Sequence, residues 1–202
     1  KIHYISQAPE QGSHLTAIEK VLRSGCKWIQ LRVKEQSEAD VLTLAFEAAR
    51  LCRQYKARLI INDYPRIALA CGAYGVHLGL DDMPVGKARA ILGKNKCIGG
   101  TANTFEDVLK RAEEGVDYIG LGPFRFTSTK KNLSPVLGIE GYASILEQMN
   151  KAGISIPVIA IGGIGLPDIE PLFKLGIHGI AVSGLLTREN DLKEEFYVNY
   201  SR

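Results

Sequence analysis

The feature that most constrains the fold is an eightfold alternation of short apolar runs and longer amphipathic segments along the 202 residues. Each apolar run has the length of a buried strand, and each is followed by a segment with helical spacing of apolar residues. Clear helices are predicted over 37–55 and 104–114, the second with Thr104 as a candidate N-cap. The predicted strands cover residues 2–6, 28–33, 59–61, 75–78, 97–99, 118–121, 157–161 and 179–183.

Strands that alternate with helices pair in parallel, because each helix provides the crossover to the next strand. Eight such units predict an α/β protein with a single compact (β/α)8 TIM barrel, formed by residues 1–202 as one catalytic domain. The chain is short for this fold, so few insertions fit. One long polar segment, residues 122–135, is the exception and is expected to be either functional or disordered. An open doubly wound sheet is the alternative architecture.

Composition excludes several classes of protein. The chain has 46% hydrophobic and 23% charged residues, which is ordinary for a globular domain and not for a disordered chain. A net charge of +3 is too small for a nucleic-acid binder that relies on bulk positive charge. No apolar stretch approaches the roughly 20 residues of a membrane span, and no secretory signal is visible. Four separated cysteines without a CxxC pair predict reduced thiols and a cytoplasmic protein.

The second predicted strand carries unusual polar residues. Its alternate positions divide into an apolar face and a polar face, and the polar face consists of Gln30, Arg32 and Lys34. In a barrel this polar face points inward, where two cations are costly without an anionic partner. It therefore predicts an anion site at the end of the strand. The alternative is a half-exposed antiparallel strand whose charges are simply solvated.

Carboxylates follow the next two predicted strands. Asp63 ends the third, and Asp82 follows the fourth. Because the ends of neighbouring strands are close together, the two carboxylates can converge on one cation, and Mg²⁺ commonly binds to one or two carboxylates plus substrate phosphates. Helix N-capping is the alternative for each aspartate, since a proline follows both. His77 is expected to be a hydrogen-bonded residue at a strand end and not a metal ligand.

Glycine turns after the seventh and eighth strands predict a phosphate site. Gly162 and Gly163 follow the seventh strand, and Ser183 and Gly184 follow the eighth. Barrels of this class often bind phosphate there, because glycine lets backbone N–H groups approach the ligand. The long polar segment adds hydroxyls and lysines at residues 127–131, which suit phosphate oxygens, although a basic surface loop is the alternative. Together these features predict two anion sites, one with a metal and one lined by glycine.

Seven stretches, in this order, resemble the thiamine-phosphate synthase family over nearly the whole chain. They are QLRVK at 30–34, IND at 61–63, GVHLGLDDMP at 75–84, IGGTANT at 98–104, DYIGLGPFRFTSTKKNLSPVLG at 117–138, IPVIAIGGI at 156–164 and GIAVSG at 179–184. The resemblance implies a (β/α)8 barrel and a transferase that joins hydroxymethylpyrimidine pyrophosphate to hydroxyethyl-thiazole phosphate. It further implies Mg²⁺ as cofactor, thiamine phosphate and pyrophosphate as products, and small molecules as partners. A homodimer is included among the expected assemblies.

The resemblance also implies roles for individual residues. It assigns the pyrimidine pyrophosphate to Gln30, Arg32, Lys34 and Asn62, with further contacts from Thr101 and Lys130. It assigns the thiazole phosphate to Thr127, Thr129, Gly163, Ser183 and Gly184, and Mg²⁺ to Asp63 and Asp82. Arg32, Lys34 and Lys130 are expected to be catalytic, because the reaction depends on positioning and on stabilising the charge of the departing pyrophosphate.

Two positions depart from the family pattern. Val33 replaces the common Glu, but its side chain is expected to point away from the interior, and Thr101 replaces the common Ser while keeping the hydroxyl. Two other functions are considered. A related thiazole tautomerase uses a histidine near the end of the sixth strand, where this chain has Leu121 and Gly122. A silent phosphate-binding barrel would need the glycine turns but not the two aspartates.

Overall fold

The protein alternates strands with helices along the whole part of the chain described by a computed structural model, residues 1–9, 11–126 and 135–188. The elements are β1 (Ile2–Ile5), α1 (His14–Arg23), β2 (Trp28–Leu31), α2 (Glu38–Gln54), β3 (Arg58–Asn62), α3 (Pro65–Ala70), β4 (Gly75–Leu78), α4 (Val85–Leu92), β5 (Cys97–Ala102), α5 (Phe105–Glu114), β6 (Tyr118–Leu121), α6 (Gly138–Lys151), β7 (Val158–Ile161), α7 (Leu166–Lys174), β8 (Gly179–Val182) and α8 (Gly184–Arg188).

Each strand pairs in parallel with the next one in sequence, and β8 pairs with β1. The sheet is therefore a closed barrel with helices around it, which confirms the predicted (β/α)8 fold and excludes the open doubly wound sheet. The active end of such a barrel is the one at which the strands terminate. All the described segments that carry predicted site residues emerge at this end.

Strand boundaries differ from the sequence-based ones mainly at β5. This strand continues to Ala102, three residues beyond the predicted end, because Thr101 and Ala102 pair with Gly120 and Leu121 of β6. Glycines at positions 99 and 100 hide the strand pattern in the sequence, since glycine is a poor strand former. The extension places Thr101 within the barrel wall instead of in a loop.

Two helices show why the amphipathic segments begin where they do. Ser37 caps α2 by accepting a hydrogen bond from the Asp40 N–H, and Thr104 caps α5 in the same way through the Asp107 N–H. A hydroxyl in this position satisfies an N–H that the helix leaves unpaired. The predicted helices over 37–55 and 104–114 are confirmed, and the start of α5 lies close to the end of β5.

The strands separate two hydrophobic cores. The larger core lies between the sheet and the helices, and the smaller core fills the barrel with side chains that include Ile5, Tyr118, Ile159 and Ala181. This division follows from the alternation of side chains along each strand. Inward-facing polar residues that lie between the smaller core and the carboxyl ends of the strands therefore line the active end of the barrel.

The four cysteines are all free thiols. Three are buried, and Cys97 is half-buried. Burial raises the pKa of the Cys26 thiol to about 11, so this sulfur is protonated and unreactive near neutral pH. None of the helices in the described part of the chain has the length and hydropathy of a membrane span.

Candidate active site

The polar face of β2 faces the barrel interior. Gln30 is buried, whereas the alternating Ile29, Leu31 and Val33 belong to the outer core. The strand pairs in parallel with both β1 and β3, so the alternative of a solvated antiparallel strand is wrong. The inclusion of Val33 in the outer core also confirms its predicted orientation away from the interior.

Arg32 follows directly after β2 and is half-buried. Its backbone N–H donates to Ser6 Oγ at 3.1 Å, which ties this segment to the end of β1. Desolvation lowers the pKa of Arg32, and the negative charge of Asp63 acts in the opposite direction. The guanidinium is therefore close enough to Asp63 to be influenced by its charge, as an inward-facing side chain would be.

Asp63 and Asp82 meet at the ends of β3 and β4. Desolvation and a hydrogen bond with the Asp63 carboxyl raise the pKa of Asp82 to about 6. The Lys34 ammonium forms an ion pair with Asp63 Oδ2, and the Gly79 N–H donates to Asp82 Oδ2 at 2.6 Å. Four of the predicted residues, Arg32 among them, thus form one cluster.

Helix capping does not explain either aspartate. The N-cap of α3 is Tyr64 and that of α4 is Pro84, and neither helix has a side-chain cap. Asp63 instead has a backbone φ of +68°, a left-handed conformation that is uncommon for a residue with a side chain. Strain of this kind is characteristic of functional sites, and the carboxyl group of this strained residue forms a hydrogen bond with that of Asp82.

The aspartate pair fits a hard divalent cation. Desolvation, followed by the hydrogen bond and the negative charge of Asp63, raises the pKa of Asp82, and a cation between the two carboxylates would offset the cost of ionising it. No group of three or more His, Cys, Asp or Glu side chains is suited to a metal within residues 1–9, 11–126 and 135–188. A site with two carboxylates matches Mg²⁺, which commonly completes its coordination with water and substrate phosphate.

Asn62 and Thr101 line the interior beside this cluster. Asn62 is buried at the end of β3, in register with His77 of β4. The Thr101 hydroxyl lies 3.1 Å from Nε2 of His77, and the Tyr118 hydroxyl lies 3.0 Å from Nδ1. The prediction that His77 is hydrogen-bonded is confirmed.

A buried arginine that the sequence analysis did not identify supports this wall of the site. Arg111 of α5 donates from Nε to the Thr101 carbonyl at 2.9 Å and from Nη2 to the Gly79 carbonyl at 2.8 Å. The missing side chain of Gly100 makes room for it, since a Cβ there would lie 2.7 Å from Arg111 Cδ. An arginine between Lys110 and Ala112 on an amphipathic helix gives no sequence signal for such a role.

The glycine turn after β7 lies on the opposite side of the barrel mouth. Gly162 and Gly163 have φ values of +98° and +67°. A Cβ on Gly163 would lie 2.9 Å from the Arg125 Cβ and 3.0 Å from the Phe126 carbonyl oxygen. Only glycine fits here without strain, and the open backbone can present N–H groups to an anion.

A salt bridge anchors this turn, and the sequence analysis did not identify it either. Arg125 donates to both carboxylate oxygens of Asp168, with Nη2 at 2.7 Å from Oδ1, and its backbone N–H donates to the Gly162 carbonyl at 2.8 Å. Burial opposes ionisation of Asp168, but hydrogen bonds from Arg125 and the Gly165 N–H outweigh it and lower its pKa. The segment after β6 is thereby joined to both ends of the turn.

Ser183 and Gly184 follow β8, next to the glycine turn. The Ser183 hydroxyl donates to Gln7 Oε1 at 3.2 Å, so the segment after β1 also reaches this side of the mouth. The remaining predicted residues, Thr127, Thr129 and Lys130, lie outside the described part of the chain. The structure therefore brings one group of predicted residues together at β2–β4 and places another at β7 and β8.

Comparisons with known proteins agree with this arrangement. The family model described as thiamine monophosphate synthase matches residues 3–186. A thiamine-phosphate synthase of Flavobacterium johnsoniae is 52% identical over 98% of this chain and 97% of its own length. One of Bacteroides fragilis is also 52% identical, over 96% of this chain and 95% of its own length.

A solved structure supports the same relationship. Thiamine phosphate pyrophosphorylase from Pyrococcus furiosus superposes with a TM-score of 0.84 at 30% sequence identity, and the match covers 100% of this chain and 95% of that one. Sequence and structure thus point to one family across almost all of the barrel. The chain belongs to the thiamine monophosphate synthase family.

Proposed function

We propose that this protein is a thiamine-phosphate synthase. It joins hydroxymethylpyrimidine pyrophosphate to hydroxyethyl-thiazole phosphate and releases pyrophosphate. The names of its close relatives support this function. The observation that carries it is the cluster of Arg32, Lys34, Asp63 and Asp82 at the mouth of the barrel. Cations beside a carboxylate pair suit a metal pyrophosphate, whereas passive phosphate binding would need only the glycine turn.

The two ends of the site take different substrates in this proposal. Gln30, Arg32, Lys34 and Asn62 bind the pyrimidine pyrophosphate, with Thr101 as a further contact. Gly163, Ser183 and Gly184 bind the thiazole phosphate, together with Thr127 and Thr129. The geometry supports this division because β2–β4 and β7–β8 lie across the barrel from each other, so the reacting ends of both substrates can meet between them.

Asp63 and Asp82 would hold Mg²⁺. When bound, the ion neutralises charge on the pyrophosphate and makes it a better leaving group. The Lys34 ammonium and the Arg32 guanidinium add positive charge on the same side, and Lys130 is proposed to contribute from the segment after β6. Their common effect is to stabilise negative charge where it accumulates as the bond breaks.

The proposed reaction needs no nucleophilic side chain. The bond between the pyrimidine methylene carbon and the pyrophosphate oxygen breaks first, and the electron pair leaves with the pyrophosphate. The thiazole nitrogen then supplies an electron pair to the methylene carbon, which gives thiamine phosphate. The protein holds the two reactants in line and excludes water from the cationic carbon, so catalysis is mainly positioning.

The free thiols support a reducing compartment, and we propose a cytoplasmic location with small-molecule ligands and neither nucleic acid nor membrane as a partner. We also propose that residues 1–202 form one domain, since the strands of the barrel extend from Ile2 to Val182.

The test is an assay for thiamine phosphate and pyrophosphate with purified protein, both substrates and Mg²⁺, with each component omitted in turn. We expect equal amounts of both products from the complete mixture and none when a substrate is omitted or EDTA is added. Lys34→Gln should lower kcat/KM by about 100-fold, since it removes a charged contact to the leaving group. Binding of both substrates without product would instead indicate a silent barrel.

Lys27→Gln is the matched control. This lysine lies just before β2, at the opposite end of the same strand, and its Nζ donates to the Tyr55 carbonyl at 2.9 Å. Because it is far from the mouth of the barrel, its loss should change kcat/KM by less than about twofold. An equal effect of both substitutions would show that lysine charge acts through the field of the whole protein and not through contact.

A further inference from the structure

A chain of hydrogen-bonded side chains inside the barrel ends at the active site. Tyr118 of β6 and His77 of β4 are buried, and Thr101 of β5 lies half-buried at the mouth. The Tyr118 hydroxyl is 3.0 Å from His77 Nδ1, and His77 Nε2 is 3.1 Å from Thr101 Oγ1. These distances describe two hydrogen bonds in series from the interior to the site.

Packing fixes the rings of Tyr118 and His77 in place. A Cβ on Gly99 would lie 2.1 Å from Tyr118 Cζ, and a Cβ on Gly120 would lie 2.9 Å from His77 Cε1. The indole of Trp28 packs edge-on against the Tyr118 ring, with centroids 5.3 Å apart. The two glycines therefore make space for the rings, and neither ring can move away from its partner without opening a void.

The proton positions follow from the hydrogen-bonding capacity of each group. Burial raises the pKa of Tyr118 well above its usual range, so its hydroxyl keeps its proton. Within the described chain, the acceptor at hydrogen-bond distance from that hydroxyl is His77 Nδ1. A neutral imidazole that accepts at Nδ1 carries its proton on Nε2 and donates there. Thr101 Oγ1 then accepts from His77, and the threonine proton is directed to a different acceptor.

We propose that Tyr118 and His77 are positioning residues that commit the Thr101 hydroxyl to donate a hydrogen bond into the active site. The recipient is an acceptor atom of the pyrimidine pyrophosphate, so this inference rests on the proposed function. A hydrogen-bond donor at this position stabilises a substrate atom that gains negative charge as the pyrophosphate departs. In the opposite tautomer, His77 Nε2 would accept a hydrogen bond from the Thr101 hydroxyl. The threonine could then offer the substrate only the lone pairs of its oxygen.

The first experiment measures the imidazole itself and needs no enzymatic activity. Nitrogen-15 NMR of labelled protein distinguishes a protonated Nε2 from a protonated Nδ1 in a neutral histidine. We expect the Nε2–H tautomer for His77 in the wild type, and a mixture of tautomers in Tyr118→Phe, which removes only the hydroxyl. A wild-type His77 that is protonated on Nδ1, or on both nitrogens at neutral pH, would overturn the proposal.

The second experiment asks whether the effect passes through Thr101. Tyr118→Phe should lower kcat/KM for the pyrimidine substrate by about 5- to 10-fold, the usual contribution of one hydrogen bond. In a Thr101→Val background the same substitution should change kcat/KM by less than about 1.5-fold, whereas Thr101→Ser should retain the full sensitivity. Equal losses in both backgrounds would show that the effect of Tyr118 does not pass through Thr101, which contradicts the inference.

Trp28→Phe is the control for general loosening of the barrel interior. It removes part of the ring that packs against Tyr118 but no hydrogen bond in the series. We expect a lower melting temperature, an unchanged His77 tautomer and kcat/KM within about threefold of the wild type. If the wild type itself makes no thiamine phosphate, the proposed function fails, while the NMR result still decides the proton positions.

Discussion

The ammonium group of Lys34 and the carboxylate of Asp63 form an ion pair between the ends of β2 and β3. One of these groups is proposed to bind the pyrophosphate and the other the metal ion. Their contact means that an anion bound by Lys34 would lie beside the carboxylate that is proposed to hold the cation. Substrate and Mg²⁺ should therefore bind cooperatively, because each replaces one half of this ion pair.

Asp82→Asn should abolish the response of turnover to Mg²⁺. Asparagine can still accept the hydrogen bond from the Gly79 N–H, so the local fold is retained, but the negative charge is lost. We expect kcat/KM to fall at least 100-fold and the residual rate to change by less than about twofold over a range of Mg²⁺ concentrations that saturates the wild type. Activity measured over a Mg²⁺ titration checks this.

Asp81→Asn is the matched control, since it removes the same charge at the adjacent, exposed position. Its kcat/KM should remain within about twofold of the wild type, because a solvated charge has little effect on a contact site. If both substitutions had the same effect, the general acidity of the segment, and not Asp82 as a ligand, would be responsible.

Asp82→Asn should also stabilise the metal-free protein at neutral pH. The raised pKa of Asp82, about 6, means that the folded state binds more protons than the unfolded state between pH 4 and pH 6. The contribution of Asp82 to the free energy of unfolding therefore decreases as pH rises through this window. After allowance for the exposure of the site to water, Asp82→Asn should gain about 1 kcal/mol at pH 7 and only about a third of that at pH 4.5.

Urea denaturation of both proteins in EDTA at the two pH values measures this difference. Saturating Mg²⁺ should reverse the order at pH 7, because the metal binds to the ionised wild-type carboxylate. A constant difference at both pH values would mean that the Asp82 carboxyl does not titrate in this range, and that desolvation and the Asp63 carboxyl raise its pKa less than the structure indicates.

The fold could be predicted from sequence because its determinants are local and periodic. Residues 28–34 show this most clearly: alternate positions are apolar, and the pattern alone assigns Val33 to the outer core. Repetition of strand and helix eight times leaves few architectures, and parallel pairing with closure is the commonest of them. The two aspartates could be predicted to converge because both follow neighbouring strands.

The supporting contacts could not be predicted, because they join residues that are distant in sequence. Arg111 reaches the Gly79 carbonyl 32 residues away, and Arg125 reaches Asp168 43 residues away. Such contacts depend on the three-dimensional separation of loops and helices, which periodicity does not contain. The left-handed backbone of Asp63 is hidden for a similar reason, since its conformation is imposed by the surrounding chain.

Gly163→Ala should weaken binding of the thiazole phosphate by more than 10-fold. The new Cβ would lie 2.9 Å from the Arg125 Cβ, so the turn or the segment after β6 must shift. Gly153→Ala is the control, because its φ of +69° is almost the same as the +67° of Gly163 but nothing lies within 4 Å of the new Cβ. Both should lose about 1 kcal/mol of stability from the left-handed backbone, and isothermal titration with thiazole phosphate should separate them.

Asp168→Asn tests whether the salt bridge with Arg125 holds the glycine turn in place. Asparagine can keep the hydrogen bond from the Gly165 N–H at the start of α7 but loses the charged pair. The side chain of Asp168 is only 8% exposed and that of Arg125 is 54% exposed. A pair with one partner this exposed is screened by water and contributes little, so the Kd for thiazole phosphate should rise by no more than about fivefold.

The rate at saturating substrate should change by less than about twofold in this variant, because the pair lies away from the departing pyrophosphate. Glu170→Gln is the matched control on the same helix. It breaks the ion pair with Lys174. The side chains of Glu170 and Lys174 are 72% and 73% exposed, so the substitution should change neither the Kd for thiazole phosphate nor the stability of the protein by a measurable amount. If Asp168→Asn left the Kd unchanged as well, the turn would be held by its backbone hydrogen bonds alone, and the salt bridge would serve only the packing of α7.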